Sequence, residues 1–475
     1  MSTRTTYDEV RYSNFPYAQT HPDRLATVGA LHGLSTPDPA AARVLEVGCG
    51  AGGNIIAMAV STPGIRAVGI DLASTAVEEG RRAIEAVGIA NAQLRQGDIS
   101  ELRDGELGEF DYIIAHGVYA WIPEPVRDHL LELIHSHLAP NGLAYVSYNA
   151  NPGGYMRRAL RDMGLWYASG EDGPVAIANR AQELYRFVWE NRAGTKDWWG
   201  GLLESQLESL AAGPTHRLVH DELSEFWAPA WFSDVMRRAA AAGLAYVGDA
   251  DLSTMLPHRI PEGVADDLDA FVGGDRLRHE QMVDILRCVF FRMSVLCRDS
   301  LRPQAGPVTD ALRDLHYATR PGEQGEERRD GLLGSVLALL RSRAPDTVPF
   351  AELRAATSAD PDDLAEALRD GFLEEIVMPH RTPLRAIDVA QVERPFASPL
   401  ARWQAREQED LTTMAYTTVR MEEPAARLLL GLLDGTRDRA AIRAEFRERT
   451  GVAISPEDLD ANLEALAKLF LLSES

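Results

Sequence analysis

The chain has 475 residues, 45% of them hydrophobic and 25% charged, an ordinary globular composition with room for two to four domains. Its formal charge of −23 repels a DNA or RNA backbone at long range, so no nucleic acid partner is expected, although the Arg-rich stretch 287–302 is a candidate local basic patch. Three cysteines (Cys49, Cys288, Cys297) form no C-x-x-C pair, the histidines are scattered, and no run of about 18 apolar residues occurs; a cytoplasmic protein with no metal site and no membrane span is expected.

In chain order, Tyr7, Tyr12, Phe15 and Tyr17 cluster ahead of a helix near Pro22–Gly33, where His21 and Arg24 are either a lid over the site or an ordinary helix start. Val44-Leu-Glu-Val-Gly-Cys-Gly-Ala-Gly-Gly-Asn54 then reads as a strand, a tight turn and a helix start. The glycines admit a ligand where a Cβ would clash, and the helix N-terminus offers free N–H groups. Gly48, Gly50 and Gly53 also satisfy the dinucleotide spacing Gly-x-Gly-x-x-Gly, so the turn alone does not settle the ligand. Ala67–Asp71 is a second strand ending in an acid that can accept hydrogen bonds from two ribose hydroxyls. A helical stretch from Ser74 to Val87 follows. Ala92–Ile99 is a third strand with Asp98 at its end, Phe110–His116 a fourth, and Leu138–Gly142 a turn into a fifth at Leu143–Tyr148. Five β-α units in this order predict a Rossmann-like, doubly wound α/β sheet.

Downstream, residues 155–215 carry helical periodicity and many aromatics, and are expected to be a helical insertion. Trp231–Ala242 predicts a helix closed by Gly243, and Leu244–Val247 a strand that resumes the sheet. Residues 277–300 are read as helical, Gln304–Pro307 and Pro321–Glu326 as linkers, and the tail as two helical blocks near 328–390 and 407–475. Within the second block, Arg427–Thr436 and Ile454–Leu459 suggest small winged-helix-like packing.

The spacing Glu-x-Gly-x-Gly-x-Gly at Glu46–Gly52 resembles the first motif of class I S-adenosylmethionine (SAM) methyltransferases. That resemblance implies SAM as cofactor, held by Glu46, Gly48, Gly50, Gly52 and Asn54, with Asp71 and Leu72 at the ribose. It also places Asp98 at the adenine amino group, Ile99 on the ring and His116 beside the cofactor. The acceptor would enter beyond strand four, where the rim carries His116, Tyr119 and Trp121, joined by Tyr148, Asn149, Asn151 and Tyr155 from strand five. His116, Tyr119 and Asn149 are the catalytic candidates. Each also has a plain structural reading: a satisfied buried histidine, ring packing and a turn cap, just as Asp98 could cap the following turn.

Tyr7–Tyr17 with Gln19–Leu25, His116–Pro123, Ser147–Gly154, His220–Leu223 and the Cys297 helix are similar to bacterial methyltransferases with a methyltransferase regulatory domain. Rickettsial lysine methyltransferases of an outer-membrane protein share this layout, which implies a protein or peptide side chain such as lysine as acceptor and a possible homodimer. A small-molecule methyltransferase and a SAM-sensing regulatory protein are the alternatives. The expected division is 1–250 SAM domain with its insertion at about 155–215, 216–300 regulatory-domain-like region, 301–395 α-rich domain, and 396–475 winged-helix-like domain.

Overall fold

The computed structural model describes residues 15–103, 105–192, 194–224, 226–251, 263–320 and 329–474. Tyr7, Tyr12 and the Pro321–Glu326 linker lie outside them. Largely continuous apolar runs build a central sheet from β1 (Arg43–Val47), β2 (Arg66–Asp71), β3 (Ala92–Gln96), β4 (Phe110–Ala115), β5 (Leu138–Asn149), β6 (Leu244–Asp249) and β7 (Phe291–Arg298). The strand order is β3-β2-β1-β4-β5-β7-β6. The first five strands are parallel, and β7 runs antiparallel between β5 and β6. Successive side chains point to opposite faces, so both faces are covered. Val44, Tyr112, Ile114, Val295 and Cys297 bury on one face, under α1 (Pro22–Leu31), α2 (Gly53–Ser61) and α3 (Ser74–Val87). Leu45, Val47, Ile113 and Leu296 bury on the other, under α4 (Glu124–His137) and the later helix Phe232–Ala241.

The insertion is helical as expected: α5 (Gly153–Tyr167), α6 (Pro174–Arg192) and α7 (Trp198–Ala212) share a core around Leu160, Tyr185, Leu203 and Leu207. The helix α8 (Phe232–Ala241) ends before Gly243, which sits at φ +78°, and β6 rejoins the sheet.

The continuous helix expected over 277–300 does not form. After α9 (Val264–Val272), α10 (Arg276–Arg287) stops at Cys288, which adopts left-handed backbone (φ 51°, ψ 47°), and the chain continues as β7. Cys297 is therefore on a strand. Glycine usually holds that helix-ending position, so the stop carried no sequence signal. Two arginines of the Arg-rich stretch are engaged within the fold rather than offered outward. Arg292 is 1% exposed and pairs with Asp284 (2.8 Å) and Glu280 (2.9 Å) below the Phe232 ring. Arg298 donates to the Leu138 carbonyl. Alongside the expected strand at Leu244–Asp249, β7 thus adds to the sheet a strand that was read as helix.

Residues 301–395 hold more than helices. α11 (Gly331–Arg343), α12 (Phe350–Thr357) and α13 (Pro361–Leu373) pack with a three-stranded antiparallel sheet, β10-β8-β9, made of β8 (His316–Thr319), β9 (Val348–Pro349) and β10 (Val377–His380). Strands of two to four residues are too short to show period-two alternation. Their core residues Tyr317, Leu337 and Leu368 are continuous with the SAM-domain face under α1.

The last module comprises α14 (Pro399–Gln404), the hairpin β11 (Asp410–Thr412) and β12 (Thr418–Arg420), and helices α15 (Pro424–Leu432), α16 (Arg439–Thr450) and α17 (Pro456–Lys468). Its own core centres on Leu430, Ile442, Leu459 and Leu463. α17 begins in a capping arrangement, with Ser455 Oγ accepting from the Asp458 N–H (3.0 Å) and donating to the Asp458 carboxylate (2.7 Å). No described helix is long and apolar enough to cross a membrane.

Candidate functional site

The strand order reverses between β1 and β4, which opens a crevice at the C-terminal ends of the strands. The glycine turn crosses it. The amides of Gly48 and Cys49 donate to the Ile70 carbonyl (2.8 and 3.2 Å), tying the turn to β2. Gly48 (φ +72°) could not carry a Cβ, which would lie 2.4 Å from Val118 Cγ2. Gly50 (φ +53°) differs, because a Cβ there would meet no atom within 4 Å. Its backbone faces open space, as a ligand cradle requires. Gly52 caps α2.

Two acids flank the turn. Asp71 accepts from the Gly50 amide (2.7 Å) and from the Ala73 amide (2.8 Å), which fixes the turn against the end of β2. Glu46 is 4% exposed; its Oε1 accepts from Asn54 (2.8 Å), while Oε2 is buried with no protein partner. Burial pushes its carboxyl up to about 8. A buried carboxyl oxygen without a donor is costly, so a ligand that offers one would be held there.

Asn54 is a hub rather than an open contact. Its amide donates to Thr20 Oγ1 (3.0 Å) and to Glu46, and its Oδ1 accepts from the Tyr17 amide (3.0 Å). The Tyr416 hydroxyl, from the C-terminal module, donates to the Asn54 carbonyl (2.8 Å) and touches Oδ1. Thr20, inside the Gln19–Leu25 segment, and Tyr416 stand 34 and 362 residues away, and no local pattern marks either as a partner of Asn54. Asp98 Oδ1 accepts from the backbone and side chain of Ser100 (2.8 and 2.7 Å), so that oxygen is a turn cap. Leu72 is 43% exposed, and Ile99 is partly buried against the face beneath α4. His21 caps α1 by accepting from Asp23 (3.2 Å), and its ring meets Tyr416 edge-on at 4.7 Å. His21 thus serves as the ordinary helix start.

The rim is divided. His116, at the end of β4, is half-buried beneath the Tyr17 ring (centroids 4.1 Å) with Phe291 at its edge. Its Nδ1 bonds the Tyr145 hydroxyl (2.9 Å) and Ser147 Oγ (3.2 Å). Burial lowers it to about 4, so the ring is neutral at pH 7. Tyr119 is buried against Tyr148 with the Arg127 guanidinium over its ring. Asn149 is buried and accepts from the Trp227 indole (3.1 Å). Tyr119 therefore packs on Tyr148, Asn149 is bonded to Trp227, and His116 sits among the rings of Tyr17, Tyr145 and Phe291. Trp121 donates to the His220 carbonyl (3.1 Å), Tyr148 bonds Ser294 (3.1 Å), Asn151 is buried, and Tyr155 stands exposed beside Trp231. Among the described residues, no group of three or more His, Cys, Asp or Glu is placed to hold a metal.

Comparison with known proteins matches three stretches of the chain. Residues 44–142 match a methyltransferase domain, 214–298 a predicted methyltransferase regulatory domain, and 393–452 the C-terminal winged helix domain of PKMT. Two uncharacterized proteins of Rickettsia prowazekii are 36% identical over 310 residues and 30% identical over 238 residues. These alignments cover 65% and 50% of this chain; the chain spans 56% of the first relative's length and 95% of the second's. The fold is similar to that of PKMT2 from Rickettsia typhi, also solved in complex with AdoHcy (TM-score 0.83, 23% identity, covering 97% of this chain and 99–100% of those). The chain belongs to the class I SAM-dependent methyltransferases that carry a methyltransferase regulatory domain.

Proposed function

We propose that this chain transfers the SAM methyl group to a protein side chain, with lysine as the acceptor. The observation that carries the cofactor half is the buried, unpartnered Oε2 of Glu46 beside the open backbone of Gly50 and the acid at the end of β2. In this reading Glu46 and the turn amides hold the amino-acid end, and Asp71 the ribose. Leu72, Asp98 and Ile99 border the adenine, with Asp98 using the oxygen that does not cap Ser100. When bound, SAM supplies an electrophilic methyl on a sulfonium, and alignment with the nucleophile contributes much of the acceleration.

The acceptor half rests on the rim. A lysine ammonium has no lone pair and must lose a proton before it reacts. Tyr17, Tyr145 and Phe291 surround His116 with rings, and a cation entering there is desolvated, which lowers its pKa. His116, neutral at pH 7, stands ready to orient the amine. The whole-length likeness to PKMT2 and the matching winged-helix module support a protein substrate. Incubation with methyl-labelled SAM and a peptide library, followed by acid hydrolysis, should return methylated lysine. Label confined to small molecules would replace this reading with the small-molecule one.

A further inference from the structure

The hairpin of the C-terminal winged-helix module turns inward, to the glycine turn of the SAM domain. Tyr416 stands in its connection, 4% exposed, with left-handed backbone (φ 61°) that bulky residues rarely adopt. The connection is held locally: the Tyr416 amide donates to Thr413 (3.1 Å), the Thr413 amide to Thr417 (2.9 Å), and the Met414 amide to Phe470 (2.7 Å). So fixed, the phenol reaches Asn54 and meets the His21 ring. Burial raises the phenol well above its usual range, so it stays a donor. Asn54 in turn orients Glu46 Oε1, while Oε2 has no protein donor.

We infer that Tyr416 is a positioning residue of the cofactor site. Its hydroxyl pins the Asn54 carbonyl and amide, and Asn54 aims Glu46 and anchors the N-terminal segment through Tyr17 and Thr20. The site is incomplete without the C-terminal module, although none of its motif residues belongs to that module. This inference rests on the cofactor reading above. With the hydroxyl removed, part of the binding energy of SAM must reorganise the hub.

The test is calorimetric titration of full-length wild type and Y416F with SAM and with AdoHcy, alongside KM and kcat. Y416F keeps the ring and removes only the donor. We expect Kd for both ligands to rise about tenfold, the scale of one buried hydrogen bond. KM for SAM should rise in parallel, with kcat at saturating SAM within about twofold of wild type. In an Asn54→Ala background, Y416F should add clearly less than in wild type, because the side chain it orients is already gone and only the bond to the backbone carbonyl remains. Thr382→Val weakens a different inter-module contact, that of Thr382 with Asp23 (2.6 Å), and should lower Tm without moving Kd. Unchanged affinity in Y416F, or effects of Y416F and N54A that multiply, would overturn the inference while leaving the cofactor reading intact. Absence of SAM binding by the wild-type chain would overturn both.

Discussion

On the cofactor side of the cleft, a Cβ at Gly50 would meet open space and a buried Glu46 oxygen has no protein partner, whereas on the rim Tyr119 and Tyr148 meet ring to ring, Tyr148 bonds Ser294 and Asn149 accepts from the Trp227 indole. The first side is built from local sequence: a turn, the acid before it and the acid ending the next strand. The second depends on distant partners, such as Trp227 for Asn149 and Ser294 for Tyr148. A polar residue near a cleft therefore says little by itself; what its hydrogen bonds already satisfy decides its role. His116 belongs to both sides, since it lies on the rim and its ring meets that of Tyr17, whose amide holds the Asn54 hub.

Substitutions can break this contrast, the largest effect coming at Gly50. Gly50→Val places a β-branched side chain at φ +53° and projects it into the open cradle. Calorimetry should then detect no SAM binding, with apo Tm only a few degrees lower; normal affinity would disprove the cofactor assignment. Asp71→Ala removes a carboxylate that anchors the Gly50 amide and, in our reading, the ribose. Loss of about 2–3 kcal/mol corresponds to roughly 30- to 150-fold weaker binding.

On the rim, His116→Gln should lower kcat by about 10- to 100-fold while Kd for SAM changes less than about threefold, the mark of a group that acts on the acceptor. A matching loss of SAM affinity would move His116 to the cofactor side. Asn149→Ala leaves the Trp227 indole without its acceptor and should cost about 1–3 kcal/mol of stability in denaturant unfolding. Any fall in kcat should be small once the folded fraction is corrected for; a hundredfold fall would restore Asn149 as a catalytic group.

The smallest effect is on pH dependence. Glu46 titrates near 8 in the folded chain against a usual value of about 4.5, so its contribution to stability is complete below about pH 4.5 and declines as pH rises to about 8. His116 and His21 are lowered to about 4, so their contributions are full above pH 6.5 and decline only below it. Between pH 6.5 and 8.5, apo Tm of wild type should therefore fall more steeply than that of Glu46→Gln. Parallel slopes would show that Glu46 is not protonated by burial.

Much of the fold can be read directly from the chain. β1 to β5 announce themselves through apolar runs ending in glycines or acids, α5 to α7 through helical periodicity, and β6 through the helix-glycine-strand pattern before it. β7 was hidden because Cys288 rather than glycine ends α10, and because Arg292 at its centre looks like a surface residue until three acids from β6 and α10 surround it. The strands of residues 301–395 were hidden by their length.

Local sequence determined the glycine turn, its two acids and the order of the β-α units, because these need only backbone conformation and neighbours within one supersecondary unit. Tertiary structure alone decided that Glu46 keeps one oxygen free, that Asn54 is saturated by Thr20, Tyr17 and Tyr416, and that Tyr119 meets Tyr148 while Asn149 bonds Trp227. Those outcomes depend on burial and on hydrogen-bond partners from remote segments, which no local pattern of residues encodes.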